Sequence, residues 1–348
     1  MKTLKARWLI SCALLGLATL FAPVPQAEAG PILITGAGAT FPYPLYSKWF
    51  SAFHTANPSI DINYQSIGSG GGIRQLLDRT IDFGASDAPM TDEELAKGAV
   101  PIFHIPTTLG AVVITYNLAG VKGTLRLSGP VIANVYLGKI TKWDDPAITS
   151  LNPGIQFPKN TAILVAYRSD GSGTTAVFSD YLSKVSADWK SQVGHGTSLQ
   201  WPVGLGGKGN EGVTGLVEQT PGALGYVELA YASANHLPYA EVKNASGQFV
   251  SPSPAAVTAA AAGSLKTMPK DFRVSITNAG GKKSYPISSF TYLLVYSSMP
   301  GTKGQAFVKF LNWAMADGQK MAEPLTYAPL PKSLTSRIGA RIREIQTK

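Results

Sequence analysis

Three short segments of this 348-residue chain share one design: residues 38–41 (GATF), 68–70 (GSG) and 171–174 (GSGT). Each sets small and hydroxyl residues where an extended run ends and a helix begins. The start of a helix carries unpaired N–H groups and a partial positive charge, which makes it a ready site for an anion. Glycine lets backbone come close, and Thr40, Ser69, Ser172 and Thr174 add hydroxyl donors. One such loop alone reads as a turn with an N-cap. Three in one chain, the last preceded by the lone Arg168, point to a shared oxyanion site. The guanidinium fork matches two oxygens at once. Asp170, two residues on, would hold that fork in place, although the pair alone also fits a surface ion pair.

Other motifs lack the company their chemistry needs. Asp82-Phe83-Gly84 matches a kinase tripeptide without a kinase glycine loop, catalytic lysine or His-Arg-Asp. Residues 204–209 (GLGGKG) fit G-x-G-x-x-G but follow no strongly β-forming run, and Lys208 is followed by Gly209, which breaks a Walker A pattern. His54, His104, His195 and His236 are scattered without ligand spacing and read as surface or structural residues. No cofactor or metal is implied.

The elements that must position the loops repeat a strand, glycine-rich turn and helix. Strands are expected at 31–35, 61–65, 82–87, 109–117, 163–167 and 289–296. Helices are expected at 45–57, 73–79, 176–184, 255–262 and 303–317, and a flexible glycine-rich loop at 204–212. Alternating strands and helices with loops at the carboxyl ends of strands indicate an α/β fold. The apolar run at 109–117 suits a strand crossing between two domains.

Composition agrees with a soluble globular chain, 45% hydrophobic and 15% charged. Residues 1–29 read as a signal peptide: Lys2, Lys5 and Arg7, an apolar stretch to Ala22, then Ala27-Glu28-Ala29 before Gly30. That stretch is shorter than the ~20 residues needed to span a bilayer. The one cysteine, Cys12, lies in this leader, so thiol catalysis and zinc–cysteine sites are excluded for the mature chain. Without the leader, 27 basic and 20 acidic side chains leave a net charge of +7. No dense Lys/Arg stripe accompanies it, and nucleic acid is not an expected partner.

The chain closely resembles the phosphate-specific periplasmic binding proteins of ABC importers. The likeness rests on residues 35–42 (TGAGATFP), 67–72 (IGSGGG), 82–89 (DFGASDAP), 136–146 (YLGKITKWDDP), 170–174 (DGSGT), 201–210 (WPVGLGGKGN) and 221–226 (PGALGY). It implies a two-lobed periplasmic binding protein fold of type II, each lobe a central β-sheet flanked by helices, hinged by crossing strands. Lobe one would take residues 30–107 and 286–348, and lobe two residues 108–285, with the ligand in the cleft.

The resemblance also implies a site: Thr40, Phe41, Ser69, Arg168, Ser172, Gly173 and Thr174 as donors, Asp170 behind Arg168, and Asp87 as acceptor of a ligand proton. One departure is Gly70, where the family often has a second serine. Phosphate at neutral pH carries a proton and sulfate does not, so a buried carboxylate at Asp87 would accept from one and repel the other. The implied function is phosphate capture in the periplasm and delivery, as a monomer and not an enzyme, to the permease and ATPase of an ABC importer. The alternatives are a carrier of another oxyanion such as sulfate or molybdate, a secreted phosphatase using Asp87 or Ser172, and a scaffold whose loops only turn the chain.

Overall fold

A computed structural model describes residues 30–348; the expected leader, residues 1–29 with Cys12, lies outside the described residues. The chain runs through β1 (Ile32–Gly38), α1 (Tyr43–Ala56), β2 (Ile60–Ser66), α2 (Ser69–Leu77), β3 (Phe83–Ser86), α3 (Asp92–Leu95) and β4 (Ile102–Tyr116). It continues with β5 (Arg126–Leu127), α4 (Gly129–Tyr136), α5 (Pro146–Thr149), β6 (Leu164–Arg168), α6 (Gly173–Val185), α7 (Ala187–Gln192), β7 (Leu205–Gly207), α8 (Gly209–Gln219), β8 (Ala223–Glu228) and α9 (Leu229–Ala234). The last part holds β9 (Glu241–Lys243), β10 (Phe249–Val250), α10 (Pro254–Ala262), β11 (Ser288–Tyr296), α11 (Gly301–Ala314) and α12 (Lys332–Ile342). Among the described residues no helix is long and apolar enough to cross a membrane.

Eight strands form one sheet in the order β2-β1-β3-β11-β4-β8-β6-β7, and β10-β9-β5 form a small second sheet. β4 is the joint. Residues 102–111 pair antiparallel with β11, and residues 112–116 pair antiparallel with β8. One strand therefore serves two half-sheets. It is buried along nearly its whole length, which explains its run of apolar and threonine side chains.

β4 begins seven residues before the expected start at Leu109, because Pro106 masks its pattern. Pro106 has no N–H to give a ladder, and the register with β11 shifts there, between Thr291 and Tyr292. Such a bulge accommodates proline and re-aims nearby side chains.

The helices that follow the glycine loops also start early. α2 begins at Ser69 rather than at 73, and α6 at Gly173 rather than at 176. Glycine and hydroxyl residues have weak intrinsic helix preference, so packing rather than propensity sets these first turns. The flexible loop expected at 204–212 is instead strand β7, parallel to β6, and the first turn of α8. Residues 268–274, expected in lobe two, pack on elements expected in lobe one. Arg337 and Arg341 of α12 donate to the carbonyls of Met268 and Lys270, and the Tyr292 hydroxyl of β11 donates to that of Phe272. This irregular stretch carries no periodic pattern that could reveal its neighbours.

Two aromatic clusters fill the cores. On the β1–β3 side, α1 buries Tyr46, Trp49, Phe50 and Phe53 on one face, and Phe53 meets Phe310 of α11 at 5.3 Å between centroids. On the other side, Tyr226 of β8 stacks on Phe178 of α6 at 4.2 Å and on Trp201 at 5.8 Å.

Glycine allows the closest helix–strand approach. A Cβ on Gly72 of α2 would lie 2.5 Å from the Ala37 carbonyl oxygen and 2.5 Å from Gly38 Cα, both backbone of β1. Gly72→Ala is expected to destabilise the fold by about 1–3 kcal/mol, the usual cost of overpacking. Urea denaturation of the ligand-stripped protein measures this as a lower midpoint at unchanged slope.

Candidate functional site

The loops singled out in the sequence come together. Thr40 and Phe41 follow β1 and precede α1; Ser69 opens α2; Asp87 follows β3; Arg168 ends β6; Ser172, Gly173 and Thr174 open α6. Thr40, Phe41, Ser69, Asp87, Arg168, Ser172 and Thr174 are all buried, none more than 3% exposed. The N-termini of α1, α2, α6 and α8 meet here, which concentrates first-turn amides and the positive ends of four helix dipoles.

Ser69 Oγ accepts from the Gly173 amide at 3.0 Å and from the Asp87 amide at 3.4 Å. Gly70 N–H donates to the Gly171 carbonyl at 2.9 Å. Gly68 turns into α2 at a φ of +88°, which glycine adopts without strain, with Asp170 packed where a Cβ would stand. Ser172 caps α6, its Oγ accepting from the Thr175 amide at 3.0 Å.

Arg168 is pinned. Its Nε donates to Asp170 Oδ1 at 2.8 Å and its Nη2 to Asp170 Oδ2 at 2.6 Å, a two-point contact that fixes the guanidinium plane. Its Nη1 reaches Thr174 Oγ1 at 3.3 Å. Of five N–H bonds, two are left over. Burial alone would raise the Asp170 carboxyl, but the hydrogen bonds and charge of Arg168, with the Gly209 amide, hold it below its ordinary value.

The hydroxyls follow a common rule. A hydroxyl has one hydrogen and two lone pairs. Thr40 Oγ1 accepts from both the amide and Nδ2 of Asn210, at 3.1 and 2.7 Å. Thr174 Oγ1 accepts from Arg168 and from Asn210 Nδ2, the latter at 3.2 Å. Ser69 Oγ accepts twice, as above. With their lone pairs occupied, all three can act toward a further group only as donors.

Asp87 is the opposite. Its Oδ1 accepts from the hydroxyl of Thr291, beside the register shift between β4 and β11, at 2.8 Å. Its Oδ2 is buried without a partner. Burial pushes the Asp87 carboxyl up to about 7, against the opposing pull of the Thr291 bond and the Arg168 charge. A Cβ on Gly173 would lie 2.5 Å from Oδ2 and would also meet Ser69 Oγ, so only glycine lets α6 come this near. The arrangement pairs these donors with the open acceptor of Asp87; Glu228 Oε1 is the other buried carboxyl oxygen without a partner among the described residues.

Asn210, Thr291, Tyr231 and Tyr327 were not singled out as site residues, although Asn210 closes the 201–210 motif. Tyr231 and Tyr327 hydroxyls donate to the carbonyls of Thr40 and Phe41, both at 2.6 Å, and fix that loop. Neither tyrosine has a local signal, since each arrives from a distant part of the chain. Glu228, at the end of β8, is buried and held well above the ordinary carboxylate range by desolvation. His104 is structural: its Nε2 accepts from the Met90 amide at 2.9 Å, and burial lowers its pKa to about 4. Asp82 likewise serves the fold, accepting from the amide of Thr35.

The model of the PBP superfamily domain matches residues 25–317. A phosphate-binding protein PstS of Xylella fastidiosa is 49% identical over 319 residues, 91% of this chain and 86% of that one. A phosphate-binding protein PstS of Haemophilus influenzae is 45% identical over 321 residues, 91% of this chain and 94% of that one. Among solved structures, a periplasmic phosphate-binding protein, PfluDING, bound with phosphate superposes with a TM-score of 0.70 at 23% identity, over 88% of this chain and 93% of that one. A phosphate-binding protein from Stenotrophomonas maltophilia gives 0.67 at 21%, with the same coverage. These likenesses give the chain the two-lobed binding-protein fold.

The raised Asp87 pKa has a consequence for stability. A carboxyl whose pKa rises on folding contributes stability that is fully present below its unfolded value of about 4 and is lost as the pH climbs through about 7. Asp87→Asn removes this titration. The ligand-stripped variant is expected to gain in melting temperature relative to the parent between pH 5 and pH 8; a constant difference across that range would contradict the assignment.

Proposed function

This chain belongs to the phosphate-binding proteins of the PBP superfamily, and from that premise we propose that it captures inorganic phosphate and delivers it to an ABC-type importer. The observation that carries the reading is the pairing of saturated hydroxyls with the partnerless Oδ2 of Asp87. Obligate donors at Thr40, Ser69 and Thr174 suit an oxyanion, and that open acceptor suits one that still carries a proton.

In this reading the two free N–H bonds of Arg168 and the first-turn amides near Phe41 and Thr174 complete the donor set. Ser172 adds its hydroxyl hydrogen. The Gly173 amide, bonded to Ser69 Oγ, serves the anion through that hydroxyl. Asp87 Oδ2 accepts the ligand's proton. Phosphate and arsenate, alike in shape and protonation, are both taken, whereas sulfate presents only lone pairs to Asp87 and is refused. An unpaired buried charged group costs more than the ~1–3 kcal/mol of a neutral one, and each 1.4 kcal/mol is tenfold in affinity.

The lobes of this reading are residues 30–107 with 286–348, and residues 108–285, except that the stretch 268–274 rides on the first lobe. They close on the ligand by a hinge motion in the crossing strands. The chain acts as a monomeric carrier without enzymatic activity, exported to the periplasm through a cleaved leader, and its membrane partners are the importer's permease and ATPase.

Equilibrium dialysis of the ligand-stripped protein against labelled phosphate with excess sulfate tests the reading. One-to-one binding that sulfate does not displace supports it; displacement moves the specificity to another oxyanion, and no binding rejects the function. In the same assay Arg168→Ala is expected to weaken every oxyanion by about 2–4 kcal/mol, roughly 30- to 1,000-fold. Asp87→Asn is expected to narrow the gap between phosphate and sulfate, because an amide can donate to sulfate where the carboxylate repels it.

A further inference from the structure

Asn210 sits at the second position of α8, fully buried. Its Oδ1 accepts from the Glu228 amide at 2.9 Å. That bond decides which way the side-chain amide faces, since an N–H donor requires the oxygen. Nδ2 is thereby turned toward the site, where its two hydrogens go to two different hydroxyls: Thr40 Oγ1 at 2.7 Å and Thr174 Oγ1 at 3.2 Å. Thr40 follows β1 and Thr174 belongs to α6, so one amide spans both sides of the cleft. The Asn210 backbone N–H adds a second bond to Thr40 at 3.1 Å.

We infer that Asn210 is a positioning residue for the oxyanion: it occupies the lone pairs of Thr40 and Thr174 and so forces both hydroxyl hydrogens toward the ligand. The inference rests on the phosphate-binding reading and deepens it. Without the Nδ2 donor, each threonine is free to rotate and offer a lone pair to the anion, which repels it. Asn210 also ties both hydroxyls to the end of β8 through Glu228, beside the point where β4 changes partners.

The test is a double-mutant cycle on phosphate affinity, measured by equilibrium dialysis with ligand-stripped protein. Asn210→Ala removes the donor. Asn210→Asp keeps the shape and the acceptor for the Glu228 amide, and so covers the case in which alanine fails to fold. Each is made in the parent and in a Thr40→Val background, where the principal hydroxyl is gone. Loss of a donor that orders charge-assisted hydrogen bonds is expected to weaken phosphate binding by about 30-fold or more in the parent. In the Thr40→Val background the further loss should be about 5-fold or less, because one of the two hydroxyls Asn210 orders is already absent. A purely structural role, or the bare charge of aspartate, would weaken binding equally in both backgrounds. Equal losses, or variants that bind within threefold of the parent, would overturn the inference while leaving the phosphate reading intact. A parent that binds sulfate, arsenate or molybdate in place of phosphate rejects that reading alone, and the cycle is then run on the anion that binds. A parent that binds none of them rejects both.

Discussion

The first-turn amides of a helix have no partners within their own helix, and the fold brings four such helix starts to one place. α1, α2, α6 and α8 start beside one another, where the Gly173 amide donates to Ser69 Oγ and the Asn210 amide to Thr40 Oγ1. The strand–glycine–helix repeats, the parallel strands that feed them and the joint at β4 together produce that convergence. Glycine is the enabling residue at each contact. Gly72 lets α2 lie against β1, and Gly173 lets α6 reach Ser69 and Asp87. Larger residues at either position would separate the donors that the topology brings together.

Donors alone would make an indiscriminate anion trap. On the proposed reading, selectivity comes from keeping the Asp87 carboxylate dry among them. Asp87 is held by Thr291, which lies beside the register shift between β4 and β11. The cost is a buried carboxylate oxygen without a partner, whose charged form burial disfavours; on the proposed reading a protonated ligand relieves it. Arg168 has its counter-charge built in, since Asp170 holds it in a two-point contact.

Much of this was legible in the amino-acid sequence. The glycine–hydroxyl loops, Arg168 with Asp170, and the alternation of strands and helices are local features with local causes. Regions held by tertiary packing were not legible. The first turns of α2 and α6 are glycine-rich and read as loop; β7 and the start of α8 read as a flexible segment; β4 is interrupted by Pro106. Asn210, Thr291, Tyr231 and Tyr327 bond partners that lie 170 to 286 residues away in the chain. Only its place at the end of the 201–210 motif hinted at the first of these, and nothing near the others did.

The aromatic stack behind α6 gives the molecule an optical property. The Tyr226 hydroxyl shares a hydrogen bond with Thr175 Oγ1 at 2.6 Å and accepts from the Arg168 amide at 3.2 Å, while its ring lies against Trp201. An indole is thus mechanically linked, through one tyrosine, to the helix start and the arginine that face the site. On the proposed reading, a shift of α6 on ligand binding would alter the surroundings of that chromophore and give the protein an intrinsic fluorescent gauge of occupancy, with no attached dye.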